Sequence, residues 1–371
     1  MERLRVGVVG CGLIAQVMHL PYLRELSDRF AVEAVCDLSA DARAHACALL
    51  GTNPAQHVDW RELLGEDLDA VLVCTSGSHA DVVVAAAERG IHALVEKPLC
   101  FGLAEGERML AAARAHGTVM MVGYMKRYDP AFERFETLLG ADEEIRFVRV
   151  TTLESPPDQY VAHHPLAPPR DLPDPVRAEL EEDDRTRVTA ALGEHDELVY
   201  RAYRYGLLDS LVHELNMLRA LLGEPELVRS AHFWMDGSAI QASIAFGAIE
   251  CQLAWVLLDG VTHFEQELAF HSPTRRLTLS FPSPFLRNMP TRIGEVGGAP
   301  GTPGSWVRDE VVGYEEAFRR ELVAFHRALT EGAATPTDGP DALRDVALCQ
   351  AIVRSFTAGE PAPIPTAKEL A

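Results

Sequence analysis

Along the first third of the chain, short unbroken apolar runs alternate with stretches in which apolar side chains recur every three or four positions. The runs at 6–9, 32–36, 69–74, 91–95 and 118–122 predict buried strands, and the stretches at 40–50, 80–89 and 103–116 predict helices. Gly90 and Gly117 stand where the last two helices should end in a left-handed residue. Strand and helix in alternation predict an α/β domain: a doubly wound parallel sheet whose ligand crevice lies outside the carboxyl ends of its strands.

Beyond residue 124 the pattern changes. A strand is predicted at 144–153, followed by a proline-rich, acidic excursion over about 155–205 and an amphipathic helix at 205–222. Strand-like segments at 228–235, 239–246, 250–258, 264–270 and 276–281 then succeed one another without helices, which predicts an open, largely antiparallel sheet. Residues 288–305 read as a Gly/Pro-rich loop, and helices at 314–331 and 341–357 close the chain. The expected organisation is an α/β domain at 1–124 and an α+β domain at 125–371, with the extra segment at about 155–205 and closing helices at about 314–358.

Composition narrows the partners. A chain of 371 residues with 47% hydrophobic content can bury two cores. A net charge of −21 argues against nucleic acid or an anionic membrane as partner. No apolar run reaches the length of a membrane-spanning helix, and Met1 leads into a strand within a few residues, so no signal peptide is expected. The seven cysteines are scattered and form no C-x-x-C, which fits a reducing cytoplasm. His163 and His164 are adjacent on a predicted loop and by themselves too few to form a metal site, so no metal is expected.

The chemistry starts at the first strand. Val6, Val8 and Val9 lead into Gly10-Cys11-Gly12-Leu13-Ile14-Ala15, a G-x-G-x-x-A turn between a strand and a helix. Gly10 permits the tight turn, Gly12 lets a pyrophosphate approach the backbone, and Ala15 packs the helix close to the sheet. The helix N-terminus at Leu13 and Ile14 offers unpaired N–H groups to phosphate. About twenty residues on, Asp37 ends the second strand, placed to accept hydrogen bonds from the adenosine ribose. Its charge opposes a 2′-phosphate and Leu38-Ser39 offers no Arg to hold one, so NAD is expected rather than NADP. Thr75, Glu96 and Lys97 fall at carboxyl ends of later strands, and His79 follows Thr75. On the helix at 205–222, Asp209 and His213 stand at i and i+4, with Asn216 three further on, so the three share a face.

Together these residues resemble the glucose–fructose oxidoreductase/inositol dehydrogenase/rhizopine-catabolism (Gfo/Idh/MocA) oxidoreductases. The likeness runs over VGVVGCGLIA, DAVLVCTSGSHADVVVAAAERGIHALVEKPL, GYMKRYDP, the helix of Asp209 and His213, and AFRRELVAFHRAL. It implies a Rossmann domain followed by an open-sheet domain used for homodimer or homotetramer contacts. It also implies a small-molecule substrate: a sugar, polyol or glycoside. Departures are Ser76 where many members have proline, Tyr203-Arg204-Tyr205-Gly206 where members have glycines, and the excursion itself.

The expected function is NAD-dependent oxidation of a secondary alcohol, or the reverse. His213, with an ordinary imidazole pKa of about 6.5, would accept the hydroxyl proton. Asp209 would orient His213, and Lys97 would stabilise developing alkoxide. Glu96 would position Lys97 or the nicotinamide ribose, Arg127 and Lys126 would contact the cofactor or an anionic substrate group, and Tyr205 and Asn216 would contact the substrate. The excursion is expected to line or cover the substrate site, with Tyr200, Tyr203 and Tyr205 stacking on a ring and Arg201 and Arg204 pairing with an acid. The alternatives are a redox-neutral enzyme that recycles its NAD, and a non-catalytic NAD sensor.

Overall fold

In a computed structural model, which describes residues 3–140, 144–301 and 303–370, the apolar runs of the first domain form β1 (Leu4–Val9), β2 (Phe30–Cys36), β3 (Ala55–His57), β4 (Ala70–Val73), β5 (His92–Glu96) and β6 (Met120–Gly123). They make one parallel sheet in the order β3-β2-β1-β4-β5-β6. The order reverses between β1 and β4, so the crevice of this doubly wound sheet opens at the carboxyl ends of those two strands. All of β4 is buried, as a strand covered on both faces must be. β3 was not foreseen: its Ala-Gln-His carries no apolar signal, and pairing with β2 alone holds it at the edge.

A π-helical turn (Ala15–His19) runs into α1 (Leu20–Glu25), and α2 (Ala40–Leu50), α3 (Trp60–Leu63), α4 (Ala80–Ala87) and α5 (Leu103–His116) complete the alternation. Ser39 caps α2 by accepting the Ala42 N–H at 3.0 Å. Gly51 and Gly117 end α2 and α5 in the left-handed conformation.

Later in the chain come α6 (Pro130–Leu139), β7 (Phe147–Glu154), α7 (Asp158–Val161), α8 (Asp174–Leu192) and α9 (Glu197–Arg201). A π-helical stretch (Ala202–Leu211) leads into α10 (Val212–Leu222). The remaining strands are β8 (Leu227–Trp234), β9 (Ala239–Phe246), β10 (Ile249–Leu257), β11 (Glu265–His271), β12 (Arg275–Phe281), β13 (Arg292–Gly298), β14 (Ser305–Val311) and β15 (Ala362–Pro363), with α11 (Ala317–Glu331) and α12 (Gly339–Ala358) before the last. The sheet order is β14-β13-β12-β11-β7-β10-β9-β8-β15, antiparallel except between β7 and β10.

Two expectations are corrected here. Residues 288–305 are not a plain loop, since they contain β13 and lead into β14. The glycines that suggested a loop make room for an aromatic: a Cβ on Gly297 would overlap the Trp306 ring on the paired strand. The helix expected at 205–222 is π-helical up to Leu211. There Gly206 rests on the sheet, where a Cβ would come within 2.5 Å of Ile240 and 3.1 Å of Trp255.

The chain forms two compact units. One takes the residues up to Tyr124 with Ala162–Glu194 and Phe318–Val346; the other takes Met125–Val161, His195–Ala317 and the residues from Ala347 on. The middle of the excursion is therefore anchored on the parallel-sheet unit. Gln16 exchanges hydrogen bonds with the Ala167 backbone at 2.9 Å in both directions. Further along, Arg187 on α8 bonds Glu105 at 2.6 Å and Asp81 at 3.0 Å. Tyr200 and Tyr203 are buried, which removes them from the ring-stacking role expected of them; Tyr205 remains 46% exposed.

Candidate functional site

At the crevice of the parallel sheet, Gly10 has φ +92°, and a Cβ there would lie 2.7 Å from the backbone of Cys74 and Thr75. No side chain fits. Its N–H donates to the Cys36 carbonyl at 2.8 Å, which ties the turn to the end of β2. Gly12 is the converse, since a Cβ would meet nothing within 4 Å. Its backbone borders open space at the start of the helix that Leu13 and Ile14 begin, and the fully buried Ala15 seats that helix on the sheet. Asp37 accepts the Cys11 and Ser39 N–H groups, each at 2.8 Å, which fixes its carboxylate beside the turn. An open backbone, a helix N-terminus and an acid at the end of the second strand fit NAD.

Further along the same strand ends, each ring nitrogen of the buried His79 faces a carbonyl oxygen, Thr75 at 2.8 Å and Pro98 at 2.9 Å. His79 thus pins the loop after β4 to the turn that carries Lys97. The Thr75 hydroxyl is buried with no hydrogen-bond partner, a donor left at a strand end where a ligand group would bond.

Glu96 is 7% exposed, bonds His19 Nε2 at 2.7 Å through Oε1 and accepts the Lys97 N–H at 3.2 Å through Oε2. Burial pushes its pKa up, but the His19 hydrogen bond and the charges of His19 and Lys97 outweigh this and leave it below the usual carboxylate range. Glu321 on α11, fully buried with neither oxygen hydrogen-bonded, is pushed well above that range, first by burial and then by the Glu96 charge. Burial thus favours the neutral form of Glu321, whereas the partners of Glu96 favour its charged form. Neither His19 nor Glu321 was picked out from the sequence; an isolated histidine one turn past Ala15 was the one available signal.

The raised pKa of Glu321 has a consequence for stability. With its pKa raised in the folded state, the folded protein binds more protons than the unfolded one above pH about 4.3, so this group's contribution falls as pH rises. Glu321→Gln should therefore gain on the parent as pH goes from 5 to 8, by at most about 1.4 kcal/mol per pH unit. Urea denaturation at the two pH values measures it, and parallel pH dependence of the two proteins would rule out a neutral Glu321.

In the other unit, Asp209 lies in the π-helical stretch and His213 is the second residue of α10. The change from π- to α-helical geometry falls between the two residues. Asp209 is paired with the buried Arg204 at 3.3 Å, which commits that guanidinium inside the chain. His213 is 8% exposed and Asn216 1%. Asn216 Oδ1 accepts from Arg127 at 3.2 Å, so two of the expected contact residues are joined to each other. Lys126 is 6% exposed and donates to Gln266 at 2.5 Å; Gln266 and Thr152 in turn each donate to Glu214 at 2.5 Å. This buried network fastens Lys126 to the large sheet.

The His163 and His164 rings lie 4.1 Å apart, and among the described residues no group of three or more His, Cys, Asp or Glu could hold a metal ion. No helix among the described residues is long and apolar enough to cross a membrane.

Residues 4–124 match the Gfo/Idh/MocA oxidoreductase family with an NAD-binding Rossmann fold. Among curated relatives, the chain is 30% identical over 149 residues to the uncharacterized oxidoreductase YrbE of Bacillus subtilis, spanning 38% of this chain and 41% of that one. It is 28% identical over 371 residues to a myo-inositol dehydrogenase of Streptomyces leeuwenhoekii, covering 95% and 98% of the two. A solved levoglucosan dehydrogenase in complex with NADH and L-sorbose has the same fold, with a TM-score of 0.76, 19% identity, and coverage of 99% of this chain and all of the other. The first domain, with its G-x-G-x-x-A turn and the acid that ends β2, matches the NAD-binding Rossmann domain of the Gfo/Idh/MocA oxidoreductases.

Proposed function

We propose that the protein oxidises a secondary alcohol of a sugar, polyol or glycoside-like small molecule, reversibly, with NAD as cofactor. The observation that carries this reading is the nucleotide cradle of Gly10, Gly12 and Asp37, on a chain that aligns along 95% of its length with a myo-inositol dehydrogenase. When bound, NAD supplies the hydride acceptor. Lys97 donates from its ammonium to the reacting oxygen and stabilises charge developing there. His213 takes the hydroxyl proton, since imidazole is the side chain whose ordinary titration lies nearest neutrality. Asp209 assists His213, and the ionised Glu96 holds the Lys97 backbone. Asn216, Arg127 and Tyr205 contact substrate or cofactor.

The test is NADH formation at 340 nm with a panel of inositols, hexoses, anhydrosugars and glycosides. NADH accumulating with at least one of them is expected. A substrate consumed with no NADH released would support the second reading, a redox-neutral enzyme that keeps its NAD. That reading draws on the excursion, which is tied to Gln16 beside the glycine turn and to Ser39 beside Asp37. No turnover of any panel member despite tight NAD binding would count against both enzyme readings.

A further inference from the structure

The carboxylate of Asp171, in the turn ahead of α8, lies at the start of α2. Its Oδ1 accepts the Ser39 hydroxyl at 2.5 Å, and its Oδ2 accepts the backbone N–H groups of Ala40 at 2.8 Å and Asp41 at 3.4 Å. The Ser39 hydrogen bond first, then these N–H groups, hold its pKa below the usual range, although the side chain is at the surface. The chain has brought this acid 132 residues from Ser39 to sit there.

The neighbours show what the place is suited to. Asp37 stands two residues before Ser39, at the strand end where the adenosine ribose hydroxyls bond, and it takes the Ser39 N–H at 2.8 Å. Arg43, one turn into α2, donates Nη1 to the Asp37 carbonyl at 2.6 Å and the Leu38 carbonyl at 3.3 Å. Its Nε is buried with no hydrogen-bond partner. A guanidinium therefore does stand at this corner, although Leu38-Ser39 offered none. A hydroxyl, two N–H groups at a helix N-terminus and a guanidinium make a donor set for a phosphate monoester. Beside an adenosine ribose, that monoester is the 2′-phosphate of NADP.

We propose that Asp171 is a specificity-determining residue: it fills the anion cradle at Ser39, Ala40 and Asp41 with its own carboxylate and so reserves the cofactor site for NAD. The inference rests on the NAD reading above and adds a second acid to it. Asp37 selects by bonding ribose hydroxyls, whereas Asp171 selects by occupying the donors that a 2′-phosphate needs.

The experiment titrates NADH and NADPH into the full-length protein and its Asp171→Ala and Asp171→Asn variants, by calorimetry at one ionic strength. The parent should prefer NADH. In Asp171→Ala, NADPH should tighten by about tenfold or more, the range expected when charge-assisted hydrogen bonds become available, while NADH affinity changes by less than about threefold. Asp171→Asn, which keeps the shape and loses the charge, should fall between, and it decides the matter if the alanine variant melts early. Adenosine 2′,5′-bisphosphate should follow NADPH. An unchanged NADPH-to-NADH ratio in folded variants overturns the inference and leaves NAD binding standing. A parent that binds neither dinucleotide overturns both.

Discussion

His213→Ala is expected to lower turnover by about 10²–10⁴-fold, the usual cost of removing a proton-transfer group, while NAD binds as tightly as before. The split follows from where the residues lie. His213 sits at the start of α10, whereas the groups suited to grip NAD are Gly10, Gly12 and Asp37 at the ends of β1 and β2. Lys97→Ala should show the same split, because Lys97 follows β5 and is no part of the glycine turn. The two variants should differ in pH profile. Loss of His213 should remove the limb of kcat/KM that reports the base, and loss of Lys97 should lower the profile throughout. Stopped-flow NADH formation together with NAD titration reads both quantities. Normal turnover in His213→Ala would remove it from acid–base chemistry, and Tyr205 or a water would become the candidate.

Gly10→Ala is expected to be severely damaging for a single added methyl. At φ +92° an L residue is strained by about 1–3 kcal/mol. The added Cβ would also meet Cys74 and Thr75 backbone at 2.7 Å. That backbone cannot yield, since β1 and β4 are paired through Val9 and Val73. A total loss of about 3 kcal/mol or more is expected, adding overpacking to strain, and NAD binding should go with it. Gly12→Ala is the internal control: its Cβ meets open space, so stability should change by less than about 0.5–1 kcal/mol while NAD affinity falls. Equal stability of the two variants in urea would refute the division of labour between the glycines.

Local chemistry was legible in the chain; encounters between distant segments were not. The turn at Gly10 and Gly12 could be read because the demand for glycine comes from the backbone itself. The parallel sheet could be read because buried strands and amphipathic helices have different periods. Glu321 could not, because nothing near it on α11 announces that its neighbour is Glu96. The π-helical stretch before α10 was invisible because apolar periodicity does not register one widened turn, and β13 was hidden behind glycines that exist to seat Trp306. Asp171 was the hardest to see. It lies in an acidic, proline-rich tract that looks like solvated surface, and its meaning comes wholly from Ser39 and α2.

The parallel-sheet unit is drawn from three separate stretches of chain, ending at Val346. Val122 donates its N–H to Thr337 at 2.8 Å, His19 stacks edge-on against Phe318 at 5.5 Å, and Phe30 does the same with His326 at 5.6 Å. A ribosome that has released only the first 124 residues has therefore made all six strands and no finished domain: the apolar faces of Phe30 and its neighbours wait for a helix not yet translated. The cofactor half can close only once α11 has been made, so its apolar faces stay uncovered through the synthesis of everything between.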